Sequence, residues 1–449
     1  MSKLPTERFL SLYWIPSVGI GKPKQNVHVP LTDVLNYTLA DGTPQASLVY
    51  LFAGTLTDDT KFSKPYINIK DDILSELVAQ PGHSISNVKK LQNAGIKVVL
   101  SVLGSNNTGW STIPSDKQAD FAAWVQSDII EKYSLDGIDI DDEGGPPQVP
   151  QQFVDTVAYL RNAIGNSLIS KALWNDYTYF PLPVSSKAPL SGSYLSQLLD
   201  FGATMSYGVG YNEQIDLIAY YHNITNASGS NVGMAYDKLC VGVQAGPPES
   251  SWMTSIGETL QLAQWSVEPQ SKTKSTPPIM GMMLFTFPQD IQQWDEYPQN
   301  QQKYMWPNPG DHRWQQAITL GMWDEFTVQS KLAWQDTGIN IASGTTVTIT
   351  YKSGAWTSNP NDSGGELFNA AGNPNYIATQ PGYTLDGAAE GALIGRIGAS
   401  GQPFLVGNGP TVTPANQSGN LELCINDDLN GLYGAGLTDN IGTVTVKIS

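Results

Sequence analysis

An α/β chain is predicted, with a (β/α)8 TIM barrel over about the first 300 residues and a smaller all-β sandwich after it. Three observations carry that prediction. Strand-like runs alternate with amphipathic helical patterns up to about residue 296, an acid-rich run closes the fourth of those strands, and from Phe326 onward only short strands and turns remain.

The strand-like runs are 9–15, 48–52, 98–103, 137–143, 168–174, 203–207, 239–243 and 279–287, eight in all. Helical spacings of three and four residues lie between some of them, clearest at Phe121, Trp124, Val125 and Ile129 and at Phe153, Val157, Leu160 and Ile164. Eight strands with helical crossovers specify a closed parallel barrel, whose reactive groups belong at the carboxyl ends of the strands.

Residues 135–144 read Leu-Asp-Gly-Ile-Asp-Ile-Asp-Asp-Glu-Gly, five carboxylates within the eight positions 136–143. Successive side chains of a strand point to opposite faces, so Asp139, Asp141 and Glu143 share one face while Ile138 and Ile140 share the other. Three converging acids repel unless they share protons. Shared protons raise a carboxyl pKa toward the value a general acid needs near neutral pH. A calcium loop counted from Asp139 fails, because its twelfth position is Pro150 rather than a bidentate acid. Asp142 points to the opposite side of the strand, and Asp136 is read as anchoring the turn before it.

Composition bounds the ligand. The chain has 449 residues, only 14% of them charged, a net charge of −17, and abundant Gly, Pro, Tyr and Trp. That balance disfavours nucleic acid and anionic membrane and suits a neutral, ring-stacking ligand such as a sugar. Cys240 and Cys424 each lie in an apolar strand-like run of a different domain and read as buried, inert thiols. The first eight residues have no apolar leader core and no stretch of about 18 apolar residues occurs, so neither a conventional signal peptide nor a membrane span is expected. A cytoplasmic location or export by a non-classical route follows as the expectation.

The acid run resembles the signature of glycoside hydrolase family 18, Asp-Gly-apolar-Asp-apolar-Asp-x-Glu, at Asp136, Gly137, Ile138, Asp139, Ile140, Asp141 and Glu143. Residues 35–42 and 97–104 and the doubled acid Asp141-Asp142 are similar to the endo-β-N-acetylglucosaminidases of the endoglycosidase H type. The resemblance implies substrate-assisted, retaining hydrolysis. Glu143 would protonate the glycosidic oxygen and later activate water, Asp141 would orient the 2-acetamido group that attacks the anomeric carbon, and Asp139 would share a proton with Asp141. Met205-Ser206-Tyr207 resembles the family's Met-x-Tyr element and implies that Tyr207 binds the acetamido group. Gly208 stands where chitinases of the family often have Asp. Phe52 and Phe287 are expected as ring platforms at the second and eighth strand ends, core packing being the alternative for both. Residues 101–104 are read as structural support, and Trp14, Trp110 and Trp174 as either cleft lining or packing. Catalysis by this route needs no cofactor. The implied partners are N-glycans or other N-acetylglucosamine-containing glycans.

The expected division is a catalytic barrel over 1–297, a linker over 298–325 with a helical pattern at Trp314, Ile318 and Met322, and a β-sandwich over 326–449. Residues 391–398, 425–427 and 439–448 of the sandwich resemble the bacterial calcium-dependent galactophilic lectins. By that resemblance Asp427, Asp439 and Asn440 hold calcium, although the loop between them is longer and residues 378–382 do not match the lectins' galactose contacts. A sandwich that binds nothing, its Asn/Asp cluster only making turns, is the alternative.

The reading is therefore an endo-β-N-acetylglucosaminidase cutting the chitobiose core of N-linked glycans. A chitinase acting on chitin-like polymers and a non-catalytic N-acetylglucosamine-binding lectin are the alternatives. Glu143 argues against the lectin, since inactive relatives typically lose that acid.

Overall fold

The computed structural model describes residues 4–16, 28–143, 149–174, 177–245, 253–270, 276–291, 312–361, 364–432 and 435–449, and its chain divides into two compact units. The first comprises residues 1–37 and 44–315; the second comprises 38–43 and 316–449.

In the first unit, β1 (Phe9–Trp14), β2 (Leu48–Leu56), β4 (Lys97–Leu103), β5 (Gly137–Asp141), β6 (Leu168–Leu173), β7 (Phe201–Thr204), β8 (Leu239–Gln244) and β9 (Gly281–Phe285) are parallel. Strand β1 pairs with both β2 and β9, which closes the barrel among the described residues. Helices α1 (Asp71–Leu77), α2 (Asn87–Asn93), α3 (Gln118–Trp124), α4 (Pro150–Ile164), α5 (Leu195–Leu198), α6 (Tyr211–His222) and α7 (Ile256–Ser266) fall between strands, and α8 (Phe287–Ile291) follows β9. The barrel strands are covered on both faces, which is why β1 and β5 are buried at every position.

Local sequence explains the boundaries. Helix α4 starts on Pro150, where a missing N–H costs nothing, and stops at Gly165, whose φ of 58° a side chain resists. Helix α7 starts with a reciprocal cap: Ser255 Oγ accepts from Glu258 N–H and Glu258 Oε2 accepts from Ser255 N–H, both at 3.2 Å. Gly137 is required because β5 runs so close to β6 that a Cβ there would lie 2.2 Å from the Leu168 carbonyl oxygen.

The barrel interior is aromatic. Phe9, Tyr13, Tyr50, Phe201 and Met283 form its buried core, with Phe52, Tyr207 and Phe285 packed against it, and Tyr13 stacks on Tyr50 at 4.1 Å. Cys240 is a free, buried thiol within this core, its pKa pushed up by burial.

Two details depart from the expected elements. Strand β2 runs on to Leu56 and pairs antiparallel with a three-residue strand β3 (Ile67–Ile69), too short to leave a pattern in the sequence. The seventh and ninth strands end at Thr204 and Phe285, so Tyr207 and Phe287 lie past the ends of their strands.

Among the described residues the second unit is all-β apart from the α-helix at its start and a 3-10 turn at Gly436–Thr438. Helix α9 (Arg313–Trp323), which includes the pattern at Trp314, Ile318 and Met322, contains the division between units. Two antiparallel four-stranded sheets follow. One joins β10 (Glu325–Gln329), β17 (Ile441–Ile448), β12 (Thr348–Thr357) and β15 (Thr411–Val412). The other joins β11 (Gln335–Ile341), β16 (Gly419–Ile425), β13 (Leu393–Ile397) and β14 (Phe404–Leu405). Trp356 is fully buried there and its indole N–H donates to the Gly391 carbonyl at 2.7 Å. Cys424 is free and buried, its pKa pushed up to about 12 by burial. Of the expected linker at 298–325, residues 298–311 lie outside the described residues, and the first compact unit reaches Gln315 rather than 297. Among the described residues no helix is long and apolar enough to cross a membrane.

Candidate active site

Strand β5 brings its acids to the carboxyl end of the barrel. Asp139 and Asp141 are both 1% exposed, and Glu143, two residues past the strand, is exposed and lines a cleft of about 520 Å³ with Thr55, Leu56, Asp58, Asn68 and Ser105.

The three carboxyls have different environments. Asp139 is held by hydroxyls: Tyr13 donates to its Oδ2 at 2.8 Å, Ser101 to Oδ2 at 2.7 Å, and Ser170 to Oδ1 at 2.7 Å. Burial raises its pKa, and the Ser170, Ser101 and Tyr13 hydrogen bonds and the Lys171 charge oppose the rise. Asp141 is pushed well above the ordinary range, first by burial and then by the charges of Glu143 and Asp139. It hydrogen-bonds Glu143, while its Oδ1 is buried with no partner among the described residues. Crowding by protein on its inner side also raises Glu143, opposed by the Asp141 hydrogen bond and by Lys171. Two carboxyls in one hydrogen bond need one proton between them, so the pair is built to hold a proton where a lone exposed carboxyl would have lost it.

Asp139 was expected to share a proton with Asp141. In the structure the carboxyl-to-carboxyl hydrogen bond joins Asp141 to Glu143, and both Asp139 oxygens are engaged by hydroxyls.

An aromatic group packs beside the acids. Tyr207 packs parallel to Phe285 at 5.7 Å, and Phe52 meets Phe285 and Tyr13 edge-on, both at 5.6 Å. Burial, then the charges of Asp141, Glu143 and Asp139, push the Tyr207 phenol well above its usual value, so it is a neutral donor, and its hydroxyl points to Met283 Sδ at 3.8 Å. Gly208 after it has φ of 74°, a conformation open to glycine and strained for most other residues. Phe287, expected as a sugar platform, is 0% exposed and meets Tyr37 and His312 edge-on, at 5.6 and 6.3 Å. The half-buried ring at the end of the eighth barrel strand is Phe285. The strand ends two residues earlier than the apolar run suggests, which moves the inward position. Trp14 and Trp110 are fully buried, Trp110 donating its indole N–H to the Val102 carbonyl at 2.8 Å, and Trp174 is half-buried.

The other two acids of the run support the frame. Asp142 is buried and accepts the Trp110 N–H at 3.2 Å. Asp136 precedes β5 and accepts from Lys97 Nζ at 2.8 Å and from Val98 N–H and Gln92 Nε2 at 2.9 Å.

Sequence reasoning missed Tyr13, Ser170, Lys171 and Phe285, and read Ser101 only as support. A signal existed for the serines: Ser101, Asp139 and Ser170 are register partners on three adjacent strands. Lys171 is a fully buried cation that donates to the Ala172 carbonyl at 2.9 Å, with its Nζ 5.4 Å from the centre of the Phe153 ring.

In the second unit, Asn440 Nδ2 donates to Asp427 Oδ2 at 2.9 Å, and Asn440 Oδ1 is buried with no partner among the described residues. Burial raises Asp427 to about 6, opposed by Asn440 and Asp428 N–H and reinforced by Glu390 and Asp428. Asp439 is half-exposed after a short turn. Among the described residues no cluster of three or more His, Cys, Asp or Glu side chains could hold a metal.

Against known proteins, residues 35–353 match the family described as glycosyl hydrolases family 18. An endo-β-N-acetylglucosaminidase of Flavobacterium sp. (strain SK1022) is 32% identical over 187 residues, 40% of this chain and 55% of that enzyme. Endo-β-N-acetylglucosaminidase F1 of Elizabethkingia meningoseptica is 27% identical over 189 residues, 39% of this chain and 54% of that enzyme. The chain thus matches about half the length of each. Among solved structures, a family 18 chitinase from Pseudoalteromonas aurantia gives a TM-score of 0.43 at 17% identity, covering 70% of this chain and 99% of that one.

Proposed function

We propose, from the premise that this chain belongs to the glycosyl hydrolases of family 18 and is therefore a glycosidase, that it is an endo-β-N-acetylglucosaminidase cutting the β-1,4 bond in the chitobiose core of N-linked glycans. One observation carries the reading: an exposed Glu143, facing a cleft, is hydrogen-bonded to a buried Asp141 whose other oxygen has no partner among the described residues. A proton held between them can pass from Glu143 to the glycosidic oxygen, and the returning carboxylate can then take a proton from water. The unpartnered Asp141 oxygen suits the N–H of a substrate acetamide, whose carbonyl oxygen would attack the anomeric carbon in a substrate-assisted, retaining reaction. Tyr207, a neutral phenol beside the acids, is the proposed donor to that acetamide, and Phe52 and Phe285 offer ring faces for the sugar. The choice of the glycan core over chitin follows the two relatives named as endo-β-N-acetylglucosaminidases.

Incubation with a high-mannose glycoprotein and mass analysis of the products tests this. A protein left with a single N-acetylglucosamine supports the reading. Intact glycan with chitin degraded assigns the chain to chitin instead, and no cleavage of either overturns hydrolysis at this site.

For the second unit we propose a calcium-assisted, lectin-like glycan site at Asp427, Asn440 and Asp439. A buried amide oxygen without a partner among the described residues, beside a buried carboxylate, makes two hard donors of the kind calcium takes. Added calcium should raise the unfolding temperature of the intact chain and Asp427→Asn should remove the shift; an equal response of both, or none, overturns the site.

A further inference from the structure

We infer that Ser170 is a positioning residue of the acid group: its hydroxyl completes a three-donor clamp that holds Asp139 as an anion and thereby keeps the mobile proton in the Asp141–Glu143 pair. This deepens the proposed function and rests on its assignment of Glu143 as proton donor.

The clamp is built from three strands. Tyr13 of β1 and Ser101 of β4 both donate to Asp139 Oδ2, and Ser170 of β6 alone among the described residues donates to Oδ1. Ser101 and Ser170 flank Asp139 in register on either side, so the closed barrel itself aims the two hydroxyls at one carboxyl. Three O–H donors on one carboxyl favour its charged form. A protonated Asp139 would need one hydroxyl to turn and accept. Asp141 has the opposite environment, with one oxygen that has no partner among the described residues and a hydrogen bond to Glu143 that requires a proton. The clamp keeps the shared proton off Asp139 and within the Asp141–Glu143 pair.

The groups facing Asp139 are few. Tyr13, Tyr50 and Tyr207 are phenols that burial keeps neutral, the Lys171 charge opposes protonation of Asp139, and Asp141 is the neighbouring acid whose own pKa the Asp139 charge raises. Ser170 is the member whose loss is cleanest, because Tyr13 also stacks on Tyr50 in the core.

Ser170→Ala and Ser170→Thr test the inference. Removing the donor raises the proton affinity of Asp139 and draws the proton away from Glu143. The alanine variant should therefore lose about 10-fold in kcat at neutral pH, with the acid limb of its profile moved up by about one pH unit and KM within about twofold. Threonine, which keeps the hydroxyl, should restore most of both. A second readout needs no substrate. An anionic Asp139 needs the third donor and a neutral one does not, so the melting-temperature gap between wild type and Ser170→Ala should be largest above the raised Asp139 pKa and shrink as pH falls through it. An unshifted acid limb, or a melting gap independent of pH, assigns Ser170 to packing and overturns the inference. If the wild-type chain cleaves neither glycoprotein nor chitin, the proposed function fails while the melting series still decides the clamp.

Discussion

The two ends of β5 carry the same residue types under opposite conditions. At the lower end Asp136 has partners for both oxygens: a lysine ammonium, a backbone N–H and a glutamine amide. At the upper end, five residues later, Asp141 keeps one oxygen without a described partner, and burial and two neighbouring carboxylates push its pKa well up. A carboxylate with all its partners supplied stabilises a fold, and one left short of partners is available for chemistry. In a barrel these roles separate along the strand, because the connecting loops gather on the upper face.

The strongest test of that separation is Glu143→Gln, which removes the exchangeable proton and keeps the shape. Hydrolysis should fall on the order of 10³-fold with the unfolding transition of the barrel in place. Retained activity would end the assignment. Position near the upper end is not by itself functional, and Phe287→Ala sharpens this point: a fully buried ring should cost about 4 kcal/mol of stability by chemical denaturation, with KM of the remaining folded enzyme little changed. Phe285→Ala, by contrast, should raise KM.

At the lower end, Asp136→Asn leaves Lys97 without its ion-pair partner and should cost about 3 kcal/mol of stability while sparing kcat. A loss of kcat without a loss of stability there would break the comparison. The smallest expected effect has the opposite sign. The folded pKa of Asp141 is raised, so its contribution to stability is most favourable below the ordinary carboxylate pKa and is lost as pH rises toward the raised value. Asp141→Asn should therefore stabilise the barrel at neutral pH by about 1 kcal/mol, the gap closing below about pH 4. A variant less stable than wild type at neutral pH would show that the charge is compensated in the native state. Activity should follow the same shared proton, persisting above the usual carboxylate range and falling as the Asp141–Glu143 pair ionises.

Much of β5 was legible. Gly137 marks the close approach to Leu168, Asp136 marks the anchor, and the alternation of isoleucine with acid places Asp139 and Asp141 at every second position of the strand. Phe287 was misplaced because the apolar run at 279–287 continues past the last paired residue, Phe285, and hydrophobicity alone does not report where pairing stops. Strand β3, which supplies Asn68 to the cleft wall, left no pattern because it is three residues long.

By itself the sequence determined the period of each element, and with it the face on which each side chain lies, because those follow from covalent geometry within a few residues. The environment of each acid was decided by the tertiary structure. Tyr13 and Ser170 reach Asp139 across 126 and 31 residues of chain, and only barrel closure and strand register bring those hydroxyls within 2.8 Å. Burial, the unpartnered oxygen and the placement of the proton are properties of that assembled interior, where losing water makes each neighbour count.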